Sequence, residues 1–565
     1  MSVFLPADRE YREWRFDPSL QQEYDPVAER LLVGDVVMPC GEVVRSSTYR
    51  SAHSIPGVLC LSRGSHGRRA GRQLFRCVPA VKELPVFLVP YTFKKTSFSK
   101  NPVDLYILFE YVDWEGKHPH GRSTNTLGKV SDLPTTFSYL LHCRGLHHPI
   151  QRLTHQAFNA IRAAEGGREG LEAELGTRES AVPDGWPDLV TIDPKGAVDL
   201  DDALGAARVA GGYKIVVAIT DPAYWLDRLE LWGNMTRRTT TIYLPDGKRP
   251  MLPGACLSDG LCSLRAGANR PCVVGLWEIA EDGAVRSMSL RWGRCKVARN
   301  MVYEDPALLA SEGYIALRSA AIAASQKLPL LEALGDSHDV VAYWMLWFNV
   351  AAADVLSAKG TGVFRASGAH NSVPMTGGAV PAETLRVMRY WGAQGGRYLP
   401  WHERQPHAGI GTGDRLYAQA SSPIRRLVDL VNVIRMIDAL GLREVSDGSV
   451  AYADHWTEHL GVVQADAIAA RRVQSECELL ERCTKAREGG DVEHEGYPIA
   501  LEGAPGDART YVVHIPSLRH LVRVRTKETL ALLRKLTLRL HLFLDESSMH
   551  RKVRVTVHPK VVSES

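Results

Sequence analysis

No Cys-x-x-Cys pair occurs anywhere in the 565 residues, although ten cysteines are present. That spacing excludes the common structural zinc ribbons and gives no disulfide framework, so free thiols in a reducing compartment are expected. No uninterrupted apolar run reaches 18 residues, so no membrane span is expected. The first residues carry acids and lack a signal-peptide apolar stretch, which points to an intracellular, cytoplasmic protein. Internal repeats and long low-complexity tails are also missing. Charge of one sign is scarce: 68 Lys and Arg against 64 Asp and Glu leave only +4. A globally basic nucleic-acid coat is thereby excluded, and local charge carries the information. Arg63, Arg68, Arg69, Arg72 and Arg76 form one cluster. Arg519, Arg523, Arg525, Lys527, Arg534, Lys535 and Arg539 form another. Each reads as a phosphate-contacting patch or as a solvated face.

One stretch breaks this balance. Thr191–Ala203 places Asp193, Asp199, Asp201 and Asp202 within ten residues. Carboxylates so crowded repel and raise one another's pKa unless a positive charge sits among them. The run Leu189–Ile192 reads as a strand, which Pro194 and Gly196 end. Acids on a loop at a strand end are hard oxygen donors suited to Mg²⁺ or Mn²⁺; a solvated acidic turn is the alternative. Downstream, Tyr417–Leu430 joins Arg425 and Arg426 to an apolar, helix-like stretch reaching Met436. Pro423 suits the first turn of that helix and Ser421 or Ser422 its cap. Two guanidiniums at a helix start make an anion site, with phosphate the usual occupant. Metals plus an Arg-rich phosphate site are the equipment for hydrolysing a phosphodiester.

These two segments resemble the motifs of the RNase II / RNase R (RNB) family of 3′-to-5′ exoribonucleases. Thr-Ile-Asp-Pro followed by Asp-x-Asp-Asp-Ala stands at Thr191–Ala203, and Ser-Ser-Pro-Ile-Arg-Arg-x-x-Asp at Ser421–Asp429. Between them, Ile215–Trp225, Thr239–Pro245, Met251–Pro253, Leu257–Leu264 and His407–Gly411 resemble further blocks of the family in the same order. The resemblance implies metal-dependent hydrolysis of single-stranded RNA to nucleoside 5′-monophosphates, with two divalent ions, Mg²⁺ or Mn²⁺, at the active site. It implies metal ligation by Asp193, Asp199, Asp201 and Asp202, catalysis by Asp201 and Arg425, and RNA contacts from Tyr243, Tyr303, Arg425, Arg426 and Glu476. Taken alone, Tyr243 also reads as a packing residue, and Glu476 as part of a solvated helix face. Asp429 reads as an i+4 partner that orients Arg425.

The implied fold is multidomain α+β. A first cold-shock-type OB barrel is expected within residues 1–84 and a second within 85–150. Residues 151–488 would hold a helical connector and the catalytic domain, and 489–565 an S1-like barrel. Such barrels bind single strands by stacking and backbone charge. A monomer is expected, as a free enzyme or within an RNA-processing complex. The chain departs from the family where a Glu stands just before the Met aligned with Met345: Ala342 and Tyr343 occupy those places here, and in the family that Glu helps read the ribose 2′-hydroxyl. The segment Tyr303–Met345 is short, and Val433 replaces a His. These departures keep open an RNA-binding protein with weak or no cleavage.

Overall fold

The computed structural model describes residues 2–15, 25–38, 42–92, 102–331, 334–367, 380–393, 396–408, 415–486, 493–502, 508–545 and 549–557. The chain divides into two units. One comprises Met1–His147, Leu244–Asp246 and Arg472–Ser565, and the other His148–Tyr243 and Gly247–Arg471.

In the first unit, five strands form a hydrogen-bonded circuit. Ile55–Leu59 pairs with Leu105–Asp113, which pairs with His120–Lys129. His120 meets Leu88 of Phe87–Tyr91 in parallel; that strand pairs with Arg72–Pro79, which returns to Ile55–Leu59. Alternate side chains point inward, so Ile55, Leu59, Phe75, Phe87, Val89, Ile107 and Phe109 share one core. The domain boundary expected at 84/85 is therefore misplaced. It falls between Arg72–Pro79 and Phe87–Tyr91, which are adjacent antiparallel strands of one sheet. Among the described residues, only short pairings stand ahead of that sheet: Ser2–Val3 with Val36–Val37, Val36–Val37 with Val43–Val44, and Leu5–Pro6 with Trp14–Arg15.

The C-terminal strands Glu493–Glu502, Arg509–Ile515, His520–Thr526, Leu536–Asp545 and His550–Val557 form an antiparallel sheet in the order third, second, first, fourth, fifth. That is the order of the N-terminal circuit opened between its third and fifth strands. Val513, Ile515, Val522, Val524 and Leu538 fill its core. The boundary expected at 488/489 lies outside the described residues. Much of the second basic cluster is already neutralised: Arg523 pairs with Glu502, Arg539 with Glu493 and Lys535 with Glu495. In the first cluster Arg69 pairs with Asp113. All nine described cysteines are free thiols.

The second unit is built on a closed five-stranded barrel, which the sequence pattern did not announce. Its strands are Leu189–Asp193, Asp202–Val209, Gly212–Thr220, Asn269–Ala280 and Val285–Val302. The closing contact is parallel, running from Leu189↔Val297 to Asp193↔Val302. Along Gly212–Thr220, Val216 and Ala218 pack into one cluster while Ile215, Val217 and Ile219 pack into another. A strand buried on both faces reads as a continuous apolar run. The helices Glu312–Ser325, Ser337–Ala358 and Leu427–Leu440 cover the second of these faces.

The helix Ser337–Ala358 is long and apolar enough, by length and composition, to cross a membrane. Here it is a core helix: Val340, Tyr343, Trp344, Phe348 and Leu356 are buried in the large cluster, as expected of a helix apolar on most sides. Tyr343 donates from its hydroxyl to Leu328 O at 3.1 Å, whereas Ala342 is exposed. The two departures thus sit in opposite environments. Ala342→Glu should leave stability within about 0.5 kcal/mol of the parent. Tyr343→Glu should lose about 3 kcal/mol or more by burying an unpaired charge and removing an aromatic. Urea denaturation checks both.

Candidate active site

The barrel assembles the acids. The antiparallel contact Val190↔Leu204 brings the end of the first strand to the start of the second. Asp193 and Asp202 therefore lie at one barrel mouth, joined by the loop 194–201. The parallel partner Val302 of Asp193 places Tyr303 at the same mouth. Ser263 fixes the loop: its Oγ accepts from Leu200 N at 3.2 Å and donates to Val198 O at 2.8 Å. The Ser263 carbonyl is held in turn by Nε of the buried Arg270 at 2.9 Å.

Arg425 and Arg426 lie ahead of their helix, not inside its first turn. The helix starts at Leu427, Arg426 is its cap residue, and neither Ser421 nor Ser422 caps it. Tertiary contacts overrode the local signal of Pro423. Thr241 N and Thr240 Oγ1 donate to Arg425 O at 2.9 and 3.0 Å, and Leu427 N donates to Thr239 O at 2.9 Å. The run Thr239–Thr241 thus clamps the Arg segment. Two buried asparagines, unremarked in the sequence, brace the loop before it. Asn349 Nδ2 donates to Tyr417 Oη and Ser421 Oγ, and its Oδ1 accepts from Ala420 N at 2.8 Å. Asn432 Nδ2 donates to Val363 O and Gln419 O.

The two guanidiniums diverge. Arg425 Nε meets Asp201 Oδ2 at 3.0 Å, and Asp201 Oδ1 accepts from Ile424 N at 2.7 Å. Both oxygens of a carboxylate only 1% exposed are therefore occupied, while the Arg425 side chain remains 44% exposed. Arg426 pairs instead with buried Asp429 at 2.7 Å, and Ser422 N donates to the same oxygen at 2.8 Å. The expectation that Asp429 orients Arg425 is corrected: its partner is Arg426, and Asp201 holds Arg425.

Tyr243 donates from its hydroxyl to Asp199 Oδ2 at 2.8 Å. Burial first, and then the nearby Asp202 and Asp193, raise the Tyr303 hydroxyl pKa; its ring stacks on His338 with centroids 3.8 Å apart. Glu476 belongs to the other unit, where Arg144 is its ion-pair partner. Of the block at His407, residues 409–411 lie outside the described residues; His407 itself is buried. Lys248, which the sequence did not single out, lies 3.2 Å from Asp199 Oδ1 and 2.6 Å from Asp259 Oδ1.

Electrostatically the mouth is under strain. Burial is the main cause that lifts Asp193 to about 6, Asp201 to about 7 and Asp202 to about 8. For Asp202 the neighbouring Asp193 and Asp201 add to the effect; for Asp201, Arg425 and Ile424 N oppose it. Asp193 Oδ2 is buried with no hydrogen-bond partner. Among the described residues no three His, Cys, Asp or Glu side chains converge closely enough to form a ready metal cage. The donor chemistry, all carboxylate oxygen with one orphaned, nevertheless fits a hard divalent cation, with Asp193 and Asp202 nearest to free.

Residues 187–334 match the model of the RNB domain. Ribonuclease R of Acidithiobacillus ferrooxidans is 31% identical over 205 residues, covering 31% of this chain and 45% of that protein. Exoribonuclease 2 of Cronobacter sakazakii is 43% identical over 100 residues, 17% of this chain and 15% of that protein. The chain thus spans less than half the length of these curated relatives. Ribonuclease R of Mycoplasma genitalium without RNA superposes with a TM-score of 0.68 at 14% identity, covering 98% of this chain and 100% of that one. Yeast Ssd1, described as a pseudonuclease, superposes at 0.52 with 12% identity over 88% and 69%. At such identities the likeness is one of fold. The RNB domain match ends at residue 334, so it covers the acid loop, Tyr243 and Tyr303 but stops short of Arg425.

A carboxyl raised in the folded state keeps a proton that the unfolded chain has released. Its stabilising contribution is full below the unfolded carboxylate pKa of about 4 and is lost as pH climbs through the folded values. For this mouth the loss therefore begins above about 4 and is complete near about 8, the highest of the folded values. In EDTA, the melting temperature should fall across that window. Mg²⁺ should restore it more at the alkaline end than at the acid end, and Asp202→Asn should flatten the profile. Calorimetric scans over pH read all three.

Proposed function

We propose that this chain is a metal-dependent 3′-to-5′ exoribonuclease that hydrolyses single-stranded RNA to nucleoside 5′-monophosphates. The observation that carries the reading is the buried Asp201 paired with a half-exposed Arg425 among carboxylates that burial holds above their ordinary range. Residues 187–334, which include the acid loop, match the RNB domain model, and relatives named ribonuclease R and exoribonuclease 2 match parts of the chain. The Mycoplasma ribonuclease R, similar in fold, has been solved with ribose-methylated single-stranded RNA.

In this reading the acid set Asp193, Asp199, Asp201 and Asp202 would hold hard divalent charge, Mg²⁺ or Mn²⁺, with Asp193 and Asp202 the ligands nearest to free. When bound, such ions supply Lewis-acid activation of water and neutralise phosphate charge. The chain's own residues do the positioning. Asp201 and Ser422 Oγ, 3.0 and 3.1 Å from the guanidinium, hold Arg425 at the mouth. There its charge stabilises the negative charge that develops on the scissile phosphate, in a preorganised site partly shielded from water. Tyr243 locks the orientation of Asp199, and the Tyr303–His338 stack offers an aromatic edge to a terminal nucleotide. Arg426, committed to Asp429, steadies the helix start and adds positive potential. Glu476, tied to Arg144 within the other unit, is read as an RNA contact of that unit. We read the five-strand circuit of residues 55–129 as an OB barrel and the C-terminal sheet as its S1-like counterpart, both gripping single strands.

A second reading is an RNA-binding protein without cleavage. The observation that favours it is the loss of the ribose-reading Glu to exposed Ala342 and buried Tyr343. A 5′-labelled single-stranded RNA and the matching DNA decide between the two. The parent with Mg²⁺ should give a descending ladder on RNA, absent in EDTA. Asp201→Asn and Arg425→Ala should each slow it by roughly a hundred- to a thousandfold. Tight binding with no ladder under Mg²⁺ or Mn²⁺ would leave the second reading, and equal degradation of DNA would mean that sugar selectivity has been lost.

A further inference from the structure

Asp199 has the chemistry of a metal ligand, yet both of its oxygens are engaged by the protein. Tyr243 Oη donates to Oδ2 at 2.8 Å, and Lys248 Nζ lies 3.2 Å from Oδ1. The Asp199 carboxylate is 8% exposed and the Lys248 side chain 20% exposed. Lys248 is not a loose surface charge that happens to lie nearby. Its ammonium is shared with Asp259 Oδ1 at 2.6 Å, and Asp259 is steadied by Ser258 Oγ at 2.7 Å. Three elements therefore converge on one ammonium: the acid loop, the short strand Gly247–Arg249 and the helical turn Gly254–Leu261. The acids consequently fall into two sets. Asp199 is compensated by a resident cation. Asp193, with an orphaned oxygen, and Asp202, buried beside Asp193, have no ion-pair partner within contact distance among the described residues; Arg425 and Arg426 act on Asp202 only from farther off.

We infer that Lys248 is a built-in counter-ion that takes the place of one divalent cation, so that the mouth accepts one exogenous ion, on the Asp193–Asp202 side, instead of two. The inference rests on the metal-dependent reading of the site. An ammonium between two carboxylates supplies fixed positive charge where a second ion would otherwise sit, and its repulsion weakens any ion approaching Asp199. Lys248 is thus a positioning residue. It fixes Asp199, and through Tyr243 it sets the wall of the nucleotide path.

The test counts Mn²⁺ bound per chain by electron paramagnetic resonance of the free ion at fixed pH, without RNA and without turnover. The parent should bind one ion. Lys248→Gln, which removes the charge, should bind a second ion at least about tenfold more tightly than the parent does. Lys248→Arg should match the parent, and Asp259→Asn, which frees the ammonium from its second anchor, should lie between. A melting temperature for each variant in EDTA reports whether it is folded. Two ions of equal affinity in both parent and Lys248→Gln would overturn the role of Lys248 and leave the metal reading intact. A single ion in Lys248→Gln, bound as in the parent, would overturn it too. No Mn²⁺ bound by either protein would remove both the inference and the metal reading on which it rests.

Discussion

Everything at the barrel mouth depends on the burial of carboxylates. Taking Asp201 and Asp202 out of water is costly unless positive charge and donors meet them. The Arg loop meets Asp201 directly: Ile424 N and Arg425 Nε occupy its two oxygens. This pairing requires the Arg loop to arrive in register with the acid loop. The Thr239–Thr241 clamp and the buried Asn349 and Asn432 accomplish that from distant parts of the sequence. Asp193 and Asp202 are left without an equivalent partner, and the proposed cation site rests on that imbalance.

The same geometry explains why two adjacent arginines do different work. Arg425 reaches back to the acids and stays half exposed, which suits the phosphate-binding role proposed for it. Arg426 turns to Asp429 and secures the start of the helix Leu427–Leu440. A charge held by one buried carboxylate and otherwise open to solvent can transfer its interaction to a ligand. A charge enclosed by helix and loop carries structure instead.

The local parts of this arrangement were legible in the sequence. The strand ending near Ile192, the breakers Pro194 and Gly196, the four acids and Arg425 all announced themselves by residue type and spacing, and the alternating C-terminal runs became strands. What could not be read was non-local. Barrel closure depends on a parallel contact between Asp193 and Val302, which leaves no periodic trace. The sheet spanning residues 55–129 crosses a presumed boundary because strands far apart in the chain pair within it. Pro423 promised a helix start that the Thr clamp postponed to Leu427. Lys248, in a stretch reading Asp-Gly-Lys, looks like a solvated turn, and only the fold places it between Asp199 and Asp259.

The central claim is that buried, proton-retaining carboxylates at the mouth form the cation site. Titration calorimetry of Mg²⁺ or Mn²⁺ into the protein near neutral pH, repeated in buffers of different ionisation enthalpy, tests it by counting protons exchanged on binding. The account predicts net proton release that shrinks in Asp202→Asn and fades at alkaline pH, where the carboxyls are already ionised. Binding with no proton release at any pH, or release unchanged by Asp202→Asn, would contradict it.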